Sequence, residues 1–159
     1  MAKDSAGLLM YRIKEGKPEV FLVHPGGPFW KNKDVGCWSL PKGRIDEGEG
    51  EREGDLLETA KREFVEETGF EFSESFISLG SVGRKDRSKV YAWAFEGDCD
   101  PAKLKSNTIF IDWPPRTGEQ MEIPEVDRGE FFDIETAKER IVSYQLGLIE
   151  AFEKYIEKI

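Results

Sequence analysis

The first dense apolar run, Ser5 to Ile13, has the composition of a buried strand, and Lys14-Glu15-Gly16-Lys17 follows as a turn with glycine at its tip. Glu19 to His24 reads as the returning strand, so a hairpin is predicted over the first 24 residues. Residues 25–37 (PGGPFWKNKDVGC) then lose all periodicity, and a loop of that length in a compact domain is often functional. Trp38-Ser39-Leu40 predicts a short strand ended by Pro41, with a polar loop from there to Gly54. At Leu56 the period changes. Leu57, Ala60 and Phe64, joined by Leu56 and Val65, recur at helical spacing, with Asp55 placed to cap the helix and Gly69 to stop it. Glu63 and Glu67 project from a different arc of that helix.

Phe76 to Leu79 and Lys89 to Phe95 predict two further strands, joined by a basic tip at Arg84-Lys85-Asp86-Arg87. Thr108 to Ile111 is another apolar run, residues 114–130 read as loop, and Phe131-Phe132 returns to the core. Asp133 opens a helix to about Ile141, and Ser143 caps a last one to about Lys158. Strands and helices do not alternate strictly, so the expectation is an α/β (α+β) fold with a mixed sheet covered by helices. No repeat or linker divides the chain, and a single domain over 1–159 is expected.

Composition narrows the function. A hydrophobic fraction of 38% argues for a folded globule, and a net charge of −9 argues against a broad nucleic-acid or anionic-membrane surface. A small anionic substrate is still compatible, because a bound metal inverts the local field. Cys37 and Cys99 have neither zinc-site nor disulfide-framework spacing, so free thiols are expected. No signal-like or membrane-spanning run is present, and the chain reads as soluble and cytoplasmic. No G-x-G-x-x-G follows a strand and Walker A is absent.

The unusual chemistry lies in the central helix. Glu63 falls beside both Glu66 and Glu67, and like charges at that spacing repel. Either this is a solvated acidic face or the carboxylates hold a hard divalent cation. The surrounding residues favour the cation. Arg62-Glu63-Phe64-Val65-Glu66-Glu67-Thr68-Gly69-Phe70 resembles the second half of the Nudix box, G-x5-E-x7-R-E-U-x-E-E-x-G-U, where U is a bulky apolar residue. Gly43 and Glu49 match its opening, and Pro41-Lys42-Gly43 resembles the P-K-G run of several branches of that family. The chain departs from the pattern at one place: twelve residues, Gly50 to Lys61, separate Glu49 from Arg62 where the pattern has seven. An insertion around residues 50–54 accounts for this, with Glu51 or Glu53 able to replace Glu49 in pairing with Arg62.

The resemblance implies a Nudix-type α/β/α sandwich and a magnesium-dependent pyrophosphohydrolase, with manganese able to substitute. Glu63, Glu66 and Glu67, with the backbone carbonyl of Lys42, would ligate the metal, and Arg62 would hold the glutamates in place. A carboxylate would take the proton of the water that attacks phosphorus. By its spacing in a late loop resembling that of other members, Glu122 is the expected base, with Glu119 or Glu125 as fallback. The implied substrate is a small phosphoanhydride, a nucleoside triphosphate or dinucleoside polyphosphate in the first place. A diphosphoinositol or NDP-sugar substrate, or a binding module without turnover, are the alternatives. Trp30, Trp38 and Trp113 are candidate stacking platforms, although tryptophans in such settings are more often core, and Lys31, Lys33, Arg84, Arg87 and Arg116 are candidate phosphate partners. Phe29 and Trp30 read either as an aromatic lid flanked by cations or as rings pinning the loop to the core. A monomer or homodimer is expected.

Overall fold

The central strand takes different partners on its two edges, and that division sets the architecture. In the computed structural model, which describes residues 3–45 and 52–158, β1 (Ser5–Lys14) runs parallel to β5 (Lys89–Glu96) along one edge. Its other edge is split. The C-terminal half pairs antiparallel with β2 (Lys17–Pro25), and the N-terminal half pairs antiparallel with β3 (Lys42–Arg44). Beyond these, β4 (Ile77–Gly83) extends the β5 side and β8 (Val126–Asp133) extends the β2 side, giving a six-stranded mixed sheet in the order β4-β5-β1-β2-β8 with β3 on β1. A separate two-stranded hairpin, β6 (Thr108–Asp112) with β7 (Gln120–Pro124), stands off this sheet.

Side-chain alternation along β1 divides the core in two. Ala6, Leu8 and Met10 point to one face, where α1 (Glu53–Thr68) lays down Leu56, Ala60 and Phe64. Leu9 and Tyr11 point to the other, under α2 (Ile134–Arg140) and α3 (Leu146–Ile156), which supply Ala137, Leu148, Ile149 and Phe152. The result is the expected layering of helix, mixed sheet and helices. No helix among the described residues is long and apolar enough to cross a membrane.

Several expectations need correction. Residues 114–130 are not a loop throughout, because β7 and the start of β8 fall there. Their apolar residues are sparse and Pro124 interrupts them, so no alternation is visible in the string. Trp38-Ser39-Leu40 makes only isolated bridges, to Ile141 and Val23, and the strand is the three residues after Pro41. The central helix begins at Glu53 with Arg52 at its N-cap and no side-chain cap bond, so Asp55 lies inside the helix. Val65 belongs to its exposed side, at 45%. Ser143 opens a short 3-10 turn before α3 and makes no cap bond. Asp133 does cap α2, accepting from Thr136 N–H at 2.8 Å. Gly69 ends α1 in the left-handed region at φ 74°. Glu49 and residues 50–51 of the supposed insertion lie outside the described residues.

Phe64 is fully buried, packed edge-on to Phe95 with ring centroids 5.3 Å apart. Truncation there leaves a cavity between helix and sheet, so Phe64→Ala is expected to lower unfolding free energy by about 3–5 kcal/mol. The neighbouring Val65→Ala should change it by less than about 1 kcal/mol. Urea denaturation of the two variants tests this orientation of α1.

Candidate functional site

Helix α1 carries its carboxylates at the border of its buried face. Phe64 and Ala60 fix its rotation by packing on the sheet, which drives Glu63 and Glu67 inward, to 8% and 5% exposure, and leaves Glu66 outside. Glu63 presses against β3. A Cβ on Gly43 would collide with the Glu63 carboxyl group, so the glycine is what lets the strand and the carboxylate share that space. Glu67 lies alongside, accepting a hydrogen bond from the Lys42 backbone N–H and feeling the Lys42 ammonium. The amide of Lys42 thus meets the acidic cluster from β3. Arg62 donates to Glu63 Oε1 at 3.0 Å and to Glu66 Oε1 at 3.3 Å.

A third acid arrives from far along the chain. Glu125, between β7 and β8, raises the proton affinity of both Glu63 and Glu67. Its carboxylate accepts from Asn107 Nδ2 at 3.1 Å, and its backbone N–H donates to the Asn107 carbonyl at 3.0 Å. Asn107 N–H in turn donates to the Glu66 carbonyl at 2.8 Å, and Lys105 N–H to the Thr68 carbonyl at 2.9 Å. The last carbonyls of a helix have no partner within it, and here residues 105–107 satisfy two of them. That polar clasp ties the end of the acidic helix to Glu125. Asn107 has no signature in the sequence, since its contacts are made to backbone groups and to a residue 18 positions away.

The expected base, Glu122, is placed elsewhere. It is exposed on β7, accepts from Thr108 Oγ1 at 2.6 Å, and faces away from Ile123, which is buried. Glu119 is also exposed, its carbonyl bonded to Trp113 N–H at 2.9 Å near the turn of the β6–β7 hairpin. Of the candidate cations, Lys33 sits over the Phe29 ring at 3.8 Å and Lys31 is exposed in the same loop. Arg84 packs over Tyr144 at 5.1 Å, Arg87 is exposed at the same turn, and Arg116 is exposed on the hairpin turn, so these three are not gathered at the carboxylates. Trp38 is core, wedged against Phe132 and bonded to Asp34 at 2.7 Å. Trp113 is half-buried at the end of β6, while Phe29 (52%) and Trp30 (36%) are exposed. The cysteines are free, Cys37 buried and Cys99 half-buried.

Burial pushes the Glu63 carboxyl up to about 7, helped by the neighbouring charges of Glu66 and Glu125 and opposed by Arg62. Burial likewise lifts Glu67 well above the ordinary carboxylate range, with Glu125 and Glu63 adding to it and Lys42 opposing. Among the described residues no ready-made cage of three His, Cys, Asp or Glu side chains is assembled. The pair nevertheless fits a divalent cation. Glu67 Oε2 is buried without a hydrogen-bond partner, and carboxylates are the hard oxygen donors that magnesium takes one or two at a time. A cation would supply the compensation that protein groups do not.

Comparison with known proteins agrees with this geometry. A family model described as NUDIX domain matches residues 1–152. An RNA pyrophosphohydrolase of Rhizobium meliloti is 34% identical over 111 residues, covering 59% of this chain and 57% of that protein. The chain thus spans little more than half the length of that curated relative. An Ap4A hydrolase from C. elegans, solved as a binary complex, superposes with a TM-score of 0.63 at 19% identity, covering 98% of this chain and all of the other. The NUDIX domain of Shewanella oneidensis NrtR, solved with ADP ribose, superposes with a TM-score of 0.64 at 19% identity, over 98% and 90% of the two chains. These two likenesses carry the fold.

Without metal, the buried carboxylates should make the fold sensitive to pH. Glu63 keeps its proton up to about 7 when folded and releases it near 4.5 when unfolded, so the folded state binds more protons in that window. Stability therefore falls as pH rises from about 4.5 through about 7, by on the order of 3 kcal/mol from Glu63, with Glu67 acting in the same direction. Magnesium should recover the loss above pH 7 by binding the folded, ionised pair. Thermal melts from pH 5 to 8, with EDTA and with magnesium, measure both effects.

Proposed function

The chain belongs to the NUDIX family, and from that premise we propose that it is a pyrophosphohydrolase that cleaves a diphosphate linkage in a nucleoside polyphosphate with the help of magnesium. The observation that carries this reading is the pair of buried carboxylates, Glu63 and Glu67, with Glu67 Oε2 left without a hydrogen-bond partner among the described residues. A substrate diphosphate brings negative charge to a group of acids, which is intelligible only with a cation between them. Glu63 and Glu67 would hold that cation, with Glu66 beside them at the surface and manganese as an alternative metal. When bound, it supplies charge neutralisation for the phosphate oxygens and for the leaving group.

The chain's own residues do the rest. Arg62 keeps Glu63 and Glu66 from springing apart, and Gly43 leaves room for the Glu63 carboxylate at the foot of β3. Lys42, with its amide on Glu67 and its ammonium nearby, is suited to meet a phosphate oxygen as well. Glu125 is the best-placed proton acceptor for the attacking water. It stands within electrostatic reach of both helix carboxylates, and Asn107 orients its oxygen. Glu122 has neither property.

One variant of this reading has its own support. The relative named RNA pyrophosphohydrolase points to the 5′-triphosphate end of an RNA as a substrate. A chain of net charge −9 lacks the means to hold a long phosphate backbone, so only the terminal nucleotide and its phosphates would be gripped.

The reading is tested by phosphate and pyrophosphate release from ATP, a dinucleoside tetraphosphate, an NDP-sugar, a diphosphoinositol and a 5′-triphosphorylated oligonucleotide. Glu67→Gln is expected to reduce magnesium-dependent turnover by at least a hundredfold with the far-UV spectrum unchanged. Glu125→Gln should lower kcat by about 10²–10⁴ with little change in KM, and Glu122→Gln by less than about twofold. Full activity in Glu67→Gln places the reaction elsewhere. Loss of activity in Glu122→Gln but not in Glu125→Gln returns the base to the hairpin. Binding without turnover on every substrate makes the protein a recognition module.

A further inference from the structure

The chain's one histidine is sealed inside the fold and takes no part in the chemistry above. His24 lies near the end of β2, 0% exposed, edge-on to the Trp38 ring with centroids 5.2 Å apart. Its Nδ1 meets Asp127 Oδ1 at 2.8 Å, and its Nε2 meets the Lys33 carbonyl at 2.6 Å. A carbonyl and an ionised carboxylate only accept, so both bonds together need the ring with a proton on each nitrogen. A ring with a single proton keeps the stronger, charge-assisted bond, which is the one to Asp127. The contact between His24 and Asp127 is thus held in either form of the ring.

The place of Asp127 in the sheet gives that contact a consequence. β2 and β8 keep one register from Glu19 opposite Asp133 to His24 opposite Arg128, and then Pro25 pairs with Val126. Asp127 is therefore the extra residue of a β-bulge. Pro25 has no N–H with which to continue the ladder, so an irregularity is favoured there. In the unbroken register Asp127 would stand opposite Pro25, on the face that Phe21 and Val23 present to α1. The bulge puts Val126 in that place, 4% exposed in the cluster of Leu56, Ala60 and Phe64. It also frees the Asp127 carboxylate for His24. The shifted register then runs on, with the Gly26 N–H donating to the Glu125 carbonyl at 3.0 Å. From the other side the Val126 N–H donates to Ser106 Oγ at 3.1 Å.

We infer that His24 is a positioning residue for Glu125: its Nδ1–H holds Asp127 in the bulge, and the bulge sets the register in which Glu125 reaches the helix carboxylates. The inference rests on the hydrolase reading above, in which Glu125 takes the proton of the attacking water. Glu125 comes immediately before Val126, so whatever fixes the bulge fixes the backbone that carries this acid. Two ties converge on it from opposite faces of the sheet. Residues 106 and 107 grip it beside the end of α1, through Val126 N–H and the Glu125 side chain and amide. His24 belongs to the other face, with Trp38, Val20 and Leu22 behind it. A proton acceptor must stand within hydrogen-bond reach of the water it deprotonates, and a small displacement of its backbone takes it out of reach. His24 touches neither the substrate nor the carboxylates of α1. It acts through Asp127 alone.

Spectroscopy and kinetics test this together. With one histidine in the chain, its ring nitrogens are unambiguous in a nitrogen-15 spectrum of the wild-type protein. On raising the pH the ring should lose its Nε2 proton and keep the one on Nδ1, the reverse of the preference of free histidine. Asp127 has a side chain only 33% exposed but at the surface end of the pair, so its variants should fold. On the panel substrate turned over fastest, Asp127→Ala should lower kcat about tenfold with KM little changed, and His24→Leu should do the same. Asp127→Asn, whose amide oxygen still accepts from Nδ1, should stay within about threefold of wild type. A neutral ring protonated on Nε2, wild-type kcat in Asp127→Ala, or a loss confined to KM overturns the inference, and hydrolysis itself then stands. In a protein that hydrolyses nothing, the Nδ1–H ring with faster hydrogen exchange of the Gly26 amide in Asp127→Ala upholds the hold on Glu125 and removes the hydrolase reading.

Discussion

Two carboxylates buried side by side are the constraint on which the remainder of this structure turns. Glu63 and Glu67 lie at the edge of the helix–sheet interface, where desolvation opposes their ionisation and each opposes the other. Left alone they would protonate or swing out to water. Their proton affinity is raised accordingly, and they stay inside because Phe64 and Ala60 lock the rotation of α1 from within the same turns. The orientation of the acids is a by-product of hydrophobic packing, which is much the larger energy. Arg62 reduces the repulsion from outside, and Lys42 from below.

The sheet completes this placement through its divided central strand. Because β2 uses only the far half of the β1 edge, β3 is free to insert along the near half and bring Lys42 and Gly43 under the helix. Residues 105–107 then close the C-terminal end of α1 by satisfying its carbonyls, and the same segment carries the side chain that orients Glu125. A helix end has to be satisfied by something. Here the satisfaction of a backbone requirement is also what brings a distant acid beside the helix carboxylates.

What was legible in the sequence follows from this arrangement. Contacts three and four residues apart in a helix can be read from spacing, so the acidic cluster, Arg62 and the Gly69 stop stood out in the string. The apolar stripe of α1 was legible for the same reason, save Val65, whose hydrophobicity does not reveal that its arc faces water. Strand β3 was hidden because three polar or small residues, Lys42, Gly43 and Arg44, give no alternation, and their pairing is dictated by the gap beside β1. The hairpin was half hidden. β6 has an apolar run, whereas β7 alternates Met121 and Ile123 with polar residues across only five positions. That concealment bears on the late acids: counted along a supposed loop, Glu122 and Glu125 are equivalent, but on a strand they are separated by a change of face and the end of the ladder. The carboxylate that acts on Glu63 and Glu67 is the one next to the junction with β8.

The buried acids and the hairpin beside them are governed by different physics, and their separation has a consequence for how such a chain can change. The carboxylates sit in a field that depends on salt and pH. One face of the hairpin, with Ile109, Ile111, Met121 and Ile123, is apolar and depends on neither. The hairpin forms its own two-stranded sheet, and Asn107 and Glu125 tie its base to the end of α1. Ile109 and Ile111 take no part in that tie or in the packing that sets the rotation of α1. Substitution there therefore leaves α1, β3 and the buried glutamates in place, because what fixes the acids is the contact of Phe64 and Ala60 with the sheet.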